Sequence, residues 1–552
     1  MTFRTKLINI LKQVGWIWFL CVFFVLYRLP ILGFDIINID APVWKTRTFQ
    51  FSSALFKMNF ADTAVTYHPG VTLMWLSAIG VKFYNLFARF FYQSLDYSTI
   101  RDYTGSHFTQ KLMIILCLSF FLFFILYIIS KLYSKSYALL FYCVFLFEPY
   151  VLGLTRVLHT DGLVTFFSFS AILSLYYFSL NTRRKFWFFL SAFSCSLALL
   201  TKSNSLILLG FLGLCILVYF FYKEKNLATK FSFSVKYGFL YLFLVLFFFS
   251  LFWPAMWVSP IATLKLYYDG IVNIGLEPHS QIWMGSEIDS PGLNYYPIVL
   301  FIRLTPWFLF FSLSGIILFL YGLSKKTVIN HYKLFLVALA FILIYSLVLS
   351  FSDKKLGRYI LTVTPFLALF CSYFISELIV ISKKFVKFKS KYYFLFFSLI
   401  FFLFSFFSTF KIFPNYLMYY SPLIGGYTSG SIIEDPKWPI GYGDLARFLN
   451  ALPNSDERYI LIRYGYLYNP FNLSHNTGTL SQKTEKDAGS YFVLEKYTDF
   501  RYLKGKGVSL KYIYKVGGID MFYIYEILGE YPVTQNYKFI IPSGIKADPK
   551  WN

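Results

Sequence analysis

Long apolar segments recur along almost the whole chain, and this pattern constrains the fold more than any other feature. The segments are about 18 to 22 residues long, which suits α-helices that cross a hydrocarbon core of roughly 30 Å. Hydrophobic residues make up 57% of the 552 positions, and charged residues make up 14%. The sequence therefore predicts a mainly α-helical, polytopic membrane protein with eleven crossings, at 14–32, 109–130, 136–152, 161–180, 185–201, 205–222, 234–256, 298–323, 332–351, 359–382 and 391–411.

Basic residues cluster between the apolar segments, at every second loop. Such loops face the cytoplasm by the positive-inside rule, which puts the amino terminus inside and the carboxyl terminus outside. Residues 15–32 lack a small-residue cleavage site, so we expect them to remain as the first membrane helix. Because the clusters supply most of the net charge of +24, this charge does not indicate a nucleic-acid partner. They are Arg4/Lys6/Lys12, Lys131/Lys135, Arg183/Arg184/Lys185, Lys223/Lys225/Lys230, Lys325/Lys326/Lys333 and the lysines of 383–391.

The long loop after the first crossing carries two segments, 43–58 and 69–91, in which apolar residues at helical spacing mix with polar ones. This pattern favours helices that lie on the outer membrane surface. The alternative is a spanning helix at 71–91, which would invert every later loop. A second open question concerns 185–201 and 205–222, because the short TKSN turn between them would also fit one or two re-entrant helices.

Beyond Lys411 the composition changes to a polar stretch that is interrupted by glycine and proline. A helix is predicted at 443–451, and strands are predicted in RYILIRYGYLY, YFVLEKY, LKYIYKV and MFYIYEIL. The chain thus divides into a transmembrane domain at 1–411 and a small extracytoplasmic α/β domain at 412–552.

Two groups of titratable residues lie at the outer ends of predicted helices. Asp40, in NIDAPVW, could act as a general base or bind sugar hydroxyls, but it could equally cap a helix that starts near Pro42. Arg156, His159 and Asp161 follow in LTRVLHTDGL, where the guanidinium suits phosphate oxygens and the acid could orient it. The alternative for this group is a snorkelling arginine with Asp161 as a helix cap.

Two further outer stretches could contact a ligand. The loop 269–306 contains Glu277, His279, Glu287 and Asp289, whose spacing matches no tight metal-ligand pattern. Its aromatic and Pro-Gly content suits a loop that folds over a ligand. DKKLGRYILTVTP, at 353–365, gathers three cations on the outside against the positive-inside rule. These cations need an anionic partner, for which lipid phosphate is the natural candidate and headgroup anchoring is the alternative.

Taken together, these features resemble the GT-C superfamily of integral-membrane glycosyltransferases, and in particular the protein O-mannosyltransferase and aminoarabinose lipid A transferase group (glycosyltransferase family 39). The family often has Asp-Glu at its first motif and HPP at its second, whereas Ala41 follows Asp40 here and Gly70 ends the second motif. The resemblance rests on Asp40, His68-Pro69-Gly70, RVLHTD, Lys202 after LALLT, Arg358, Tyr359 and Pro365, and then on DSPGLNYYP with RLTP, NYLMYYSPLIGG and GYGDLARFLN.

The resemblance implies a sugar donor linked to polyprenyl or dolichyl phosphate. It also implies inverting transfer to an acceptor hydroxyl of a protein, a lipid or a glycan, on the outer face of the cytoplasmic membrane. No nucleotide or redox cofactor is required, and the ligand spacing does not support the divalent metal that some relatives use. The main rival is a polymerase, ligase or flippase for lipid-linked glycans, which would place its key charges along a central path rather than at the outer ends of the helices.

The resemblance also assigns roles to individual residues. Asp40 would be the catalytic base, with Asp161 the next candidate and then Asp62 or Glu287. Because base and leaving phosphate act from opposite sides of one sugar, we expect the carboxylate of Asp40 and the guanidinium of Arg358 to lie roughly 6 to 12 Å apart. Lys355 and Arg156 would join Arg358 at the donor phosphate. The pocket for acceptor and sugar would comprise His68, His159, Glu277, His279, Glu287, Tyr295 and Tyr359.

Overall fold

The computed structural model describes residues 3–35, 38–67, 69–92, 95–96, 99–224, 226–276, 280–327, 330–383, 389–434, 438–453, 458–462, 477–479, 490–495 and 507–528. Most of these residues are helical. The helices are α1 Phe3–Arg28, α2 Asp40–Phe56, α3 Val71–Phe91, α4 Ile100–Leu132, α5 Lys135–Leu146, α6 Pro149–Leu154, α7 Asp161–Leu180, α8 Lys185–Thr201, α9 Leu206–Lys223, α10 Leu227–Phe252, α11 Ala255–Val258, α12 Pro260–Leu276, α13 Tyr295–Arg303, α14 Pro306–Ser324, α15 Tyr332–Phe351, α16 Thr364–Ser382, α17 Ser390–Phe410, α18 Gly426–Ile433 and α19 Tyr442–Asn450.

Helices α1 and α4 run antiparallel, which fixes the path of the chain between them. Trp18 packs on Phe123 with ring centroids 4.9 Å apart, and the hydroxyl of Ser119 donates to the carbonyl of Cys21. The chain therefore leaves α1 and enters α4 on the same side of the membrane. Only an even number of crossings fits between them, and among the described helices there α2 is not apolar enough to cross.

Helix α3 consequently does not cross the membrane, although it is one of nine helices among the described residues that are long and apolar enough to do so. The hydroxyl of Thr72 contacts that of Thr201 at the end of α8, and Tyr84 donates to Asp102 at the start of α4 over 2.7 Å. Gly80 lies so close to α4 that a Cβ there would meet the backbone of Gln110 at 2.7 Å. The predicted helices at 43–58 and 69–91 form as α2 and α3, and α3 lies along the part of α4 that projects beyond α1.

We count eleven crossings in the described chain. They are the other eight candidates and the three shorter apolar helices 14–28, 135–146 and 185–201. Two of them bear on the question about 185–222. The start of α9 follows the end of α8 directly, and at the far end of α9 Tyr219 donates to the carbonyl of Ser179, at the end of α7. This arrangement favours two spanning helices over re-entrant ones.

The predicted single helix at 298–323 is wrong, because two helices, α13 and α14, occupy this stretch. Thr305 is extended and Pro306 is the first helical residue of α14, which suits a ring that has no amide hydrogen to donate. The carboxylate of Glu148 accepts hydrogen bonds from the amide and the hydroxyl of Thr305, at 2.8 and 2.6 Å. These hydrogen bonds stabilise the non-helical link between α13 and α14.

Several connections that carry basic clusters meet at one end of the helix bundle. The ring of His331, before α15, bonds through Nε2 to the carbonyl of Leu132 at 3.0 Å and through Nδ1 to the hydroxyl of Tyr176 at 3.2 Å. The contacts join the ends of α4, α7 and α14–α15. The loops that hold the candidate site residues lie at the opposite ends of the same helices.

Helix α7 is the centre of the membrane bundle. Every side chain from Asp161 to Phe178 is buried, as expected for a helix that is apolar all round. It packs between α4 and α8, and its first turn carries the charged residues that the bundle brings together.

The outer part of the chain holds seven strands in two sheets. The predicted strands are confirmed: β3 Ile460–Ile462, β5 Tyr491–Glu495, β6 Val508–Val516 and β7 Ile519–Ile527 form, with β4 Thr477–Thr479, a mixed sheet in the order β4-β3-β5-β7-β6. Helix α19 matches the helix predicted at 443–451. A separate hairpin of β1 Gln281–Trp283 and β2 Ser286–Ile288 is joined to the end of α18, where the amides of Met284 and Gly285 donate to the carbonyls of Ile433 and Ile432.

Candidate active site

Four outer connections bring five titratable side chains into one cluster. Asp40 is the first residue of α2, His159 and Asp161 come from the turn into α7, Lys202 follows α8, and Arg358 lies in the 3₁₀ turn before α16. We call these five residues the charged cluster. Its parts are far apart in sequence, so only the bundle assembles them.

The carboxylate of Asp40 is held through one of its two oxygens. Oδ2 lies 3.3 Å from Nε2 of His159, 3.3 Å from Nη2 of Arg358 and 3.2 Å from Nε1 of Trp438. Among the described residues, none forms a hydrogen bond or an ion pair with Oδ1, and 35% of the side chain remains exposed. The alternative of a helix cap does not hold, because α2 has no side-chain cap and the carboxylate faces the charged cluster.

Asp161 forms the buried half of the charged cluster. One carboxylate oxygen bonds to the ammonium of Lys202, and the other lies 2.8 Å from Nδ1 of His159 and 3.3 Å from Nε of Arg358. Only 4% of this side chain is exposed. His159 and Arg358 thus each bridge the two carboxylates. Two cations balance two anions here, as burial of charges requires.

These contacts act on the protonation of Asp40. Burial alone would raise the pKa of its carboxyl, but the hydrogen bond from His159 and the positive charge of Arg358 outweigh it. The pKa of Asp40 is therefore held well below its usual range. Asp40 is a carboxylate at every physiological pH, and the same contacts make it a weaker base than a free carboxylate.

Aromatic rings line the charged cluster. The indole of Trp438 lies over the guanidinium of Arg358, with 4.6 Å from Cζ to the ring centroid, and the ring of Tyr359 lies 3.7 Å from Nζ of Lys202. A small pocket opens beside Arg358, lined by Tyr150, Leu154, Arg303, Leu356, Gly357, Leu417, Glu434 and Trp438. Aromatic rings beside polar groups are typical of pockets for organic ligands.

The expected separation of Asp40 and Arg358 is wrong, because the two groups form a direct ion pair of 3.3 Å instead of standing roughly 6 to 12 Å apart. Both side chains lie on one wall of the site. Opposite charges attract strongly where protein replaces water, so the guanidinium closes onto the carboxylate.

Arg156 does not join Arg358, which corrects its predicted role at the donor phosphate. It is only 2% exposed, and its guanidinium pairs with Asp35 at 2.9 Å and donates to the carbonyls of Arg28 and Pro30. Lys111 binds the other oxygen of Asp35. This network fastens the loop after α1 to α4 and to the turn before α7.

The remaining predicted residues differ in whether they contact the charged cluster. Tyr359 borders the charged cluster through Lys202, whereas Lys355 is 4% exposed and makes no recorded contact with the cluster. Tyr295 is fully buried against Trp283, and its place in the acceptor pocket stays a prediction. Glu287 lies exposed on the hairpin and accepts from Ser280, and Asp62 accepts from Asn59. His68, Glu277 and His279 lie outside the described residues.

Sequence reasoning missed two members of the site. Lys202 appeared only as part of a family motif, although a lysine at the end of an apolar helix is costly without a partner and was a usable signal. Trp438 gave no signal, because one tryptophan in a polar stretch fits many roles. Within the described ranges, no group of three His, Cys, Asp or Glu residues could hold a metal ion.

Comparison with known protein families matches part of the chain. Residues 65–263 match the sequence model of the family described as dolichyl-phosphate-mannose-protein mannosyltransferase. The predicted resemblance to this group of glycosyltransferases is confirmed. The matched range contains His159, Asp161 and Lys202, whereas Asp40 and Arg358 lie outside it. No curated protein sequence matches the chain significantly.

Solved GT-C structures are similar to the chain at low sequence identity. ArnT from Cupriavidus metallidurans bound to undecaprenyl phosphate is 12% identical, with 93% of this chain and 98% of that chain covered and a TM-score of 0.44. The oligosaccharyltransferase AglB from Archaeoglobus fulgidus, in complex with an inhibitory peptide and a dolichol-phosphate, is 11% identical, with 85% and 64% covered and a TM-score of 0.41.

Proposed function

We propose that this chain is a membrane glycosyltransferase that moves a sugar from a polyprenyl- or dolichyl-phosphate donor to an acceptor hydroxyl. The acceptor is a hydroxyl of a protein, a lipid or a glycan, and the reaction takes place on the outer face of the cytoplasmic membrane. The observation that carries the proposal is the state of Asp40, whose Oδ2 is held by three polar groups while none of the described residues forms a hydrogen bond with Oδ1. A fixed carboxylate with one available oxygen is what a general base needs.

The reaction is a single displacement at the anomeric carbon. The acceptor oxygen forms the new bond as its proton passes to Oδ1 of Asp40, and the bond from carbon to the phosphate oxygen breaks. The electron pair of that bond leaves with the lipid phosphate, whose charge Arg358 stabilises. Attack from the side opposite the leaving group inverts the anomeric configuration.

Arg358 has to serve two partners in this scheme. It contacts Asp40 and Asp161, and a phosphate offers the same guanidinium a better-matched bidentate partner. When Arg358 turns from Asp40 to the phosphate, the carboxylate loses a neighbouring cation and becomes a stronger base. Donor binding therefore prepares the base for the acceptor.

Release of polyprenyl phosphate tests the proposal. Purified protein in lipid nanodiscs would be incubated with short-chain polyprenyl-phosphate hexoses and pentoses, with and without peptide, lipid and glycan acceptors. We expect release of polyprenyl phosphate that depends on one donor, one acceptor class and Asp40, together with an inverted product by NMR. Absence of transfer from every donor, or equal release by the Asp40→Asn variant, would refute it. Movement of an intact lipid-linked glycan across the bilayer would favour a flippase instead.

A further inference from the structure

Trp438 reaches the charged cluster from the chain that follows the last membrane helix, 398 residues after Asp40. Its indole makes three contacts there. Nε1 donates to Oδ2 of Asp40 at 3.2 Å, the ring covers the guanidinium of Arg358, and its edge meets the ring of His159 with 5.1 Å between centroids. The side chain is only 5% exposed, so the contacts are shielded from water.

Glu434, four positions earlier in the chain, is also held beside Arg358. Its carboxylate pairs with Arg303 at 2.8 Å, and its carbonyl accepts from the hydroxyl of Tyr420 at 2.6 Å. The same carboxylate lies against Gly357, where a Cβ would come within 2.4 Å of Oε1. Because Gly357 precedes Arg358 directly, this contact places Glu434 beside the backbone of Arg358.

The hairpin β1–β2 strengthens this attachment. Trp283 forms an isolated antiparallel bridge with Glu434, next to the two amide bonds that join the hairpin to Ile432 and Ile433. The long outer loop and the segment after α17 therefore act as one unit. Trp438 is the part of that unit that touches the charged cluster.

We propose that Trp438 is a positioning residue that holds Asp40 for proton transfer, which rests on the proposed function. Its N–H engages Oδ2 and so turns Oδ1 toward the acceptor, and its ring limits the directions in which Arg358 can swing. The segment after the last membrane helix is then part of the active site and completes it. Loss of a hydrogen bond to a charged group is expected to lower kcat about tenfold to a hundredfold.

Two substitutions of Trp438 distinguish the role of its indole N–H from the role of its aromatic ring. Trp438→Phe keeps an aromatic ring beside Arg358 but removes the N–H, and we expect kcat to fall about tenfold or more while the donor Kd stays within about twofold. Trp438→His restores a ring N–H of similar reach and should recover part of kcat. Trp44→Phe is the matched control, because Trp44 also packs against His159 but its indole forms no hydrogen bond with the carboxylate of Asp40.

Each outcome of this comparison is decisive. A wild-type kcat in Trp438→Phe, or equal losses in Trp438→Phe and Trp438→His at unchanged thermal unfolding midpoints, would refute the positioning role. A parallel loss of donor affinity and kcat would make Trp438 a donor-binding residue instead. Wild-type protein that transfers no sugar would refute the proposed function itself, and the two failures are thus distinguishable.

Discussion

Oδ2 of Asp40 lies 3.3 Å from Nη2 of Arg358, although 318 residues separate them in the chain. The ion pair joins the start of α2 to the turn before α16, and it does so on the side of the membrane where the loops of the charged cluster meet. A carboxylate and a guanidinium that touch in this way can be separated by a competing phosphate. The competition of a phosphate with Asp40 for Arg358, and the burial of the neighbouring charges, can both be tested.

Replacing Asp40 by asparagine should abolish transfer and leave donor binding intact. The amide keeps the shape of the side chain, but it cannot take the proton from the acceptor, so we expect kcat to fall at least about a thousandfold. Asp62→Asn is the matched control, because Asp62 lies exposed in the same outer segment and bonds only to Asn59 among the recorded contacts. Loss of donor binding in Asp40→Asn, measured by titration with a labelled donor, would contradict the assignment.

The depressed pKa of Asp40 predicts the acid side of the pH profile. Because the base is already deprotonated above its lowered pKa, lowering the pH should not reduce kcat/KM through Asp40 until well below its usual value of about 3.9. Removing the hydrogen bond from His159 raises that pKa, so His159→Phe should move the acid limb to higher pH. The control is His331→Gln on the inner side, whose profile should match that of the wild type.

Arg358→Ala should weaken donor binding and slow turnover. The guanidinium contacts both carboxylates and would hold the leaving phosphate, so we expect donor Kd to rise tenfold or more, about 1.4 kcal/mol. Lysine should rescue only part of this loss, because an ammonium lacks the planar fork. Lys355→Ala serves as the comparison, since its side chain has no recorded contact with the charged cluster. Unchanged donor affinity in Arg358→Ala would exclude the phosphate role.

The pair of Lys202 and Asp161 predicts a stability effect. Lys202→Met leaves the carboxylate of Asp161 buried without its ammonium, which should cost about 3 to 5 kcal/mol. The double variant Lys202→Met/Asp161→Leu removes both charges and should recover most of the unfolding midpoint without recovering activity. Thermal unfolding in detergent micelles measures the stability of the single and the double variant. A double variant less stable than the single one would show that the two residues do not act as a pair.

The orientation of the chain can be tested with single cysteines in a background without the six native ones. Cysteines at the exposed positions Arg184 and Lys326 should resist an impermeant thiol reagent in intact cells, because these loops carry the basic clusters. Cysteines at Asp289 and Gly517 should react. The opposite pattern would place the charged cluster in the cytoplasm and end the proposal of an outward active site.

The sequence predicted the crossings well, because length and hydrophobicity decide them locally. It failed at Pro306, where the break between α13 and α14 depends on a distant carboxylate, that of Glu148. A run of apolar residues on both sides of a proline does not reveal such a partner. The strands β5, β6 and β7 were also predictable, since their β-branched and aromatic residues favour extended structure on their own.

The charged cluster was predictable as a set of residue types and less so as a geometry. Asp40, Asp161 and Arg358 were found because charged residues at the ends of apolar helices need partners. The contacts among these residues depend on how four loops pack together. So does the pairing of Arg156 with Asp35 instead of with the charged cluster. Arg156 and His159 are three residues apart, yet their side chains belong to separate networks, and no local pattern distinguishes them.

The close pairing of α3 with the projecting end of α4 has a consequence for what can reach Asp40. The outward edge of α3 exposes Phe83, Leu86, Phe87 and Phe90, and such an apolar edge settles at the boundary between headgroups and acyl chains. Phe51 of α2 packs on Trp75 of α3, so the helix that begins with Asp40 keeps a set height above that boundary. We therefore expect α2 and α3 to hold the carboxylate of Asp40, the proposed base, at the depth of the lipid phosphates.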